Sequence, residues 1–119
     1  MAITVNTLQL DPDGWAVNAH TDDGSGSEEI KAAPAVTGEN ILLKEINITT
    51  DGADVVFLDS YESAGATAKR ILGPLHIAAG TLSYVDKFIK PIKITANENL
   101  EINTSASTAV NIYASGTIE

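Results

Sequence analysis

From Asn40 onward, apolar residues recur at alternate positions in short runs, each closed by glycine, proline or a small polar cluster. A period of two places successive side chains on opposite faces of a sheet, so these runs predict β-strands. The clearest stretch is Arg70 to Thr95, where three runs are separated by Ala78-Ala79-Gly80 and by Pro91. In the first, Ile71, Leu75 and Ile77 share one face while Leu72 and His76 share the other. The second, Thr81 to Ile89, sets Leu82, Tyr84 and Phe88 against Ser83, Val85 and Lys87. Proline cannot donate to a ladder, which predicts that Pro91 begins a strand or marks a sheet corner ahead of Ile92 and Ile94.

The same rhythm predicts a strand over Ile41 to Thr49, with Leu42, Ile46 and Ile48 inward and Lys44 as an exception near an edge. Asp51-Gly52-Ala53-Asp54 then turns the chain into Val55 to Leu58, a short run apolar on both faces, as a central strand would be. Asp59 to Lys69 reads as a hairpin loop, with a helical turn over Tyr61 to Ala68 as the other option. Leu100 with Ile102 and Val110 with Ile112 add two more strands. The expected fold is all-β: an antiparallel β-sandwich, jelly-roll or Ig-like, of seven to eight strands over residues 37–119.

Residues 1–36 look different. Met1 to Leu10 reads as a strand or an extended arm, Asp11-Pro12-Asp13-Gly14 as a turn, and Trp15 to Ala19 as a short strand. Thr21 to Glu29 is polar and acidic, the composition of a flexible loop, and Glu28 to Ala33 reads as a strand or a helical turn limited by Pro34. All six acids of the first thirty residues precede the first cation, Lys31. That asymmetry predicts an N-terminal arm with an acidic flexible loop ahead of the sandwich.

Charge narrows the function. Seven Lys and Arg stand against sixteen Asp and Glu, giving a net charge of −9. Nucleic-acid binding draws on cations that displace phosphate counterions, so direct DNA or RNA binding is not expected. No apolar run approaches the ~20 residues that span a bilayer, and no basic segment followed by a long apolar run opens the chain, so neither a membrane span nor a secretory signal is expected. The absence of cysteine removes disulfides, thiolate metal sites and a cysteine nucleophile.

No catalytic constellation is legible. His20 and His76 have no nucleophile motif near them, and G-x-S-x-G is absent. A glycosidase needs two facing carboxylates and aromatic platforms, yet aromatic residues make up 5% of the chain. Asp11, Asp13, Asp22, Asp23, Glu28 and Glu29 carry the hard oxygen ligands Ca²⁺ prefers, but their spacing matches only a fragment of an EF-hand, and a solvated acidic loop is the expected state. No cofactor, metal or catalytic residue is predicted. Lys87, Lys90 and Lys93 form a basic cluster around Pro91. Lysines protect exposed sheet edges from aggregation. The functional alternative is that they meet the acidic N-terminal arm of a neighbouring subunit.

Several segments carry a resemblance: ILLKEINIT, VVFLDS with its small-residue loop, RILGPLHIAAGTLSY, KPIKIT and NLEINTSASTAVNIYASG. With them, residues 40–118 resemble small β-sandwich virion proteins of tailed bacteriophages. The resemblance implies a structural role on the virion, as a capsid decoration (cement) protein, a head-fibre base, or a neck or tail component. It implies a homo-oligomer, with a trimer favoured, bound to the major capsid protein at the capsid surface after synthesis in the host cytoplasm. The candidate interaction residues are then Trp15, the six acids and the three lysines. The alternative is a carbohydrate- or receptor-binding module of a fibre, which would need an exposed platform among Trp15, Tyr61, Tyr84 and Tyr113.

Overall fold

Nine β-strands and no helix make up the described part of the computed structural model, which covers residues 3–9, 14–23, 25–60, 69–78, 84–106 and 108–119. They are β1 (Thr4–Gln9), β2 (Gly14–Thr21), β3 (Gly26–Lys31), β4 (Ile41–Thr50), β5 (Asp54–Ser60), β6 (Lys69–Ile77), β7 (Tyr84–Lys93), β8 (Leu100–Thr104) and β9 (Val110–Ile118). A five-stranded sheet runs β1-β2-β9-β4-β7, and a four-stranded sheet runs β3-β8-β5-β6. Every pairing is antiparallel. The fold is an all-β sandwich, as the alternation predicts. Among the described residues no helix is long and apolar enough to cross a membrane.

The core lies between the sheets and is built from the alternate residues of each strand. From the five-stranded sheet come Trp15, Val17 and Ala19 of β2, Ile41, Leu43, Ile46 and Ile48 of β4, and Val110, Ile112 and Ala114 of β9. The other sheet supplies Ile30, Val56, Leu58, Ile77, Leu100 and Ile102. Each fully buried aliphatic side chain here contributes roughly 1.5–3 kcal/mol of transfer free energy. That burial is what holds two sheets face to face.

Three expectations are corrected. Residues 1–36 do not form an arm ahead of a separate sandwich. β2 pairs along its whole length with β9, and β3 pairs with β8, so both sheets and the single core draw on this segment. The cause is the alternation of Trp15, Val17, Ala19 and Thr21 against exposed Asn18 and His20. Of the acids that set the segment apart, Asp22 and Asp23 are exposed in the turn between sheets, and on β3 Glu29 is exposed and Glu28 half-buried.

The strand count also changes: among the described residues six strands begin after Asn40, not seven or eight, because one strand runs straight through Pro91. β7 is an edge strand, where a missing N–H can face solvent. Between Leu43↔Ile92 and Glu45↔Lys87 its register breaks, so that Phe88 to Pro91 stand opposite Lys44 alone.

The third correction concerns the inner face of β4. Lys44 is an extra residue, a β-bulge between Leu43↔Gly116 and Glu45↔Ser115. The bulge reverses the phase of the strand, so Ile41 and Leu43 face inward before it and Ile46 and Ile48 after it, while Leu42 is only half-buried. The hairpin loop expected between β5 and β6 survives in part. Asp59, Ser60 and Lys69 belong to the strands, and residues 61–68 lie outside the described residues, as does the expected 79–80 turn.

Candidate functional site: sheet edges and buried ion pairs

The sandwich leaves four edges, β1 and β7 on one sheet and β3 and β6 on the other. Their side chains, and the polar groups that the hairpins bury, carry all the candidate chemistry.

Trp15 is not a surface platform. It is 3% exposed within the core, and its Nε1 donates to the Thr117 carbonyl at 3.1 Å. Lys31 Nζ lies 6.0 Å from the centre of its ring, at the limit of a cation–π contact. Tyr113 and Phe57 are half-buried, and Tyr61 lies outside the described residues.

The acidic turn between β2 and β3 satisfies itself. Asp23 Oδ1 accepts from the backbone N–H and hydroxyl of Ser25 at 3.1 and 3.0 Å, while the Thr21 hydroxyl donates to the Asp23 carbonyl at 2.9 Å. Asp22 Oδ1 lies 3.0 Å from His20 Nε2, on the exposed side. Glu28 is half-buried on β3, and exposed Glu29 accepts from Asn99 Nδ2 at 2.9 Å. Among the described residues no three His, Asp or Glu side chains gather as metal ligands. Asp11 and Asp13 lie outside the described residues.

Lys87, Lys90 and Lys93 are all exposed on β7, the edge of the sheet farthest from β1. Within one copy they and the acids of β3 occupy edges of different sheets. Between the lysines, Ile89 is fully exposed on the irregular stretch of β7. A large aliphatic side chain held entirely in water on an edge strand is unusual. The sequence pattern gave no sign of it, because the strand bulges there.

Sequence reasoning also missed two ion pairs beside the β5–β6 hairpin. Asp59 is 1% exposed and accepts from Arg70 Nε at 2.8 Å and from a terminal guanidinium nitrogen at 3.3 Å. The Asp59 hydrogen bond raises the pKa of Arg70, against the desolvation that lowers it. The guanidinium also lies 3.7 Å from the centre of the Phe57 ring. Next to this pair, buried Glu98 accepts from Lys69 Nζ at 2.7 Å and from the Ser60 hydroxyl at 3.0 Å. Asp-Ser before the hairpin and Lys-Arg after it were the available signal for the first pair; Glu98 arrives from a distant loop and gave none.

A third buried acid fastens the β8–β9 connection. Asp54 accepts from the N–H groups of Val55, Ser105 and Ala106 at 2.7, 3.1 and 3.0 Å, and from the Thr108 hydroxyl at 2.6 Å. These three buried carboxylates are each occupied by donors of the fold, so they organise loops and offer no free acid or base.

No protein-family model matches the sequence, and no protein of curated function aligns with it. Two of the solved structures that align do so over nearly the whole chain. One is CapF with the inhibitor 3-isopropenyl-tropolone, at 9% identity and a TM-score of 0.42, covering 95% of this chain and 28% of that one. The other is the infectious bursal disease virus Gx strain, at 18% identity and a TM-score of 0.43, covering 98% of this chain and 31% of that one. The chain spans less than a third of the length of either.

Proposed function

We propose that this chain is a non-enzymatic structural protein of a virion, a decoration protein that docks as an oligomer on the major capsid protein. The observation that carries the reading is the β7 edge, where Lys87, Lys90 and Lys93 surround fully exposed Ile89. An exposed apolar anchor flanked by lysines along an edge strand is suited to contact with an acidic partner surface. The resemblance of residues 40–118 to small phage virion proteins supplies the class of partner. A sandwich whose buried acids are all engaged in holding loops suits a part that reinforces a shell. The carbohydrate-binding alternative loses its principal aromatic, since Trp15 is sealed in the core.

The test mixes purified protein with expanded capsids of the virus that encodes it. Saturable binding is expected, and K87E/K90E/K93E together with I89D should each weaken it by about tenfold or more. Wild-type protein with no affinity for those capsids refutes the reading.

A further inference from the structure

Three of the four sheet edges are defended against strand addition, and one is not. β7 carries three exposed lysines, Pro91 and a register break. β3 carries Glu28 and Glu29 and a break between Glu29 and Lys31. β6 carries exposed Lys69 and Arg70, Pro74 and two breaks. Charges, proline and bulges are the devices that blunt edges. β1 has none of them. Its sequence is Thr-Val-Asn-Thr-Leu-Gln, and its pairing with β2 runs unbroken from Thr4↔His20 to Gln9↔Trp15. Among the described residues no strand covers its outer side. Alternate residues of such a strand turn their N–H and C=O groups away from β2, ready to pair.

We propose that β1 is the site at which two copies of this chain join, by antiparallel β1–β1 pairing about a two-fold axis. The two five-stranded sheets then become one continuous sheet across the pair. A second copy is the occupant because it presents an equally open, uncharged edge of the same length, its own β1. Each copy carries a net charge of −9, so self-association is disfavoured overall and is least opposed where no like charges meet. Pairing β7 with itself would set lysine against lysine, and pairing β3 with itself glutamate against glutamate. β1 against β1 opposes only Thr, Val, Asn, Leu and Gln.

The surface beside β1 supplies apolar area. Leu8, 47% exposed on the strand, and Val36, 61% exposed, line one shallow depression with Thr7, Trp15 and Ile118, at whose border lie the oppositely charged Lys31 and Glu39. A six-residue strand pair is a small interface, so the dimer forms in a concentration-dependent way. Each copy has one β1, so this contact by itself closes at a pair and does not build the trimer that the resemblance to phage virion proteins implies. The inference does not depend on the virion reading, because it concerns the protein alone in solution.

Sedimentation equilibrium from about 10 µM to about 1 mM tests it, a range matched to weak interfaces. The mass of the native protein should move from 12.4 kDa towards twice that value. N6K/L8K should hold it at the monomer mass, and K87E/K90E should not. A monomer throughout, a trimer, or a dimer that persists in N6K/L8K overturns the proposal. If N6K/L8K does not fold, single cysteines decide, since the chain has none of its own. N6C, T7C and L8C are oxidised beside K90C as the control. A disulfide-linked dimer forming faster at one or more of the β1 positions supports the pairing, and no advantage over K90C overturns it.

Discussion

Gly116 lies against Leu42 so closely that a Cβ built on the glycine would overlap the Leu42 carbonyl oxygen. The same Cβ would stand 3.1 Å from Cζ2 of Trp15. Gly116 sits in the sheet between Trp15 on β2 and Leu43 on β4, next to the Lys44 bulge. The obstacle is backbone, which cannot swing aside as a side chain can. G116A should therefore destabilise the fold by about 1–3 kcal/mol or more, the usual cost of overpacking a close-packed interior. Chemical denaturation should show a lower midpoint with an unchanged slope.

The Asp59–Arg70 pair predicts an asymmetry. Removing the cation leaves a buried carboxylate without its partner, while removing the carboxylate leaves a half-exposed guanidinium that water can serve. R70M should cost more stability than D59N, and R70M/D59N should be more stable than R70M. Because pairing raises the Arg70 pKa, its contribution is complete below the ordinary arginine range and is lost only as pH rises through the raised value. The difference between native protein and R70M should thus stay constant from about pH 7 to about pH 10. Equal, small losses for R70M and D59N in thermal melts would mean that the pair is a surface ornament.

Asp54 gathers three N–H groups and a hydroxyl at one carboxylate. D54A strands those donors, at a cost of about 2–4 kcal/mol. Hydrogen exchange should locate the damage. Amide protection at Ser105 and Ala106 should collapse first, ahead of core amides such as Ile102 and Ile112. Uniform loss across the chain would show that Asp54 does not hold the connection.

Trp15 is the single tryptophan and it is buried, so its emission reports the core. Native emission should be blue-shifted and should not respond to added glycans. W15A should cost about 3–5 kcal/mol by leaving a cavity. Quenching of native emission by a sugar would return Trp15 to the list of binding residues.

Where residues alternate without interruption, the fold was legible. Leu100 and Ile102 on β8, and Val110 and Ile112 on β9, fall inward as their spacing predicts. Reading failed where a bulge adds a residue. Lys44 reverses the phase of β4, so strict alternation points Leu42 inward where the fold buries Ile41 and Leu43. Nothing local distinguishes a bulged lysine from a lysine at an edge. The N-terminal segment misled through composition, since the acids of the β2–β3 turn outweighed a period-two pattern of only four inward residues, Trp15 to Thr21. The proposed interaction surface was half visible: three lysines stand out in any reading, but exposed Ile89 among them depends on a register break formed with a strand some forty residues away. The open β1 edge could not be read at all until the strand order placed it outermost.

The most direct measurement of the proposed role is a titration of expanded capsids with this protein, read by bound protein per major capsid subunit and by the temperature at which the shells come apart. The account predicts saturation at a fixed stoichiometry and a higher disruption temperature at saturation. No saturation and an unchanged disruption temperature would contradict it.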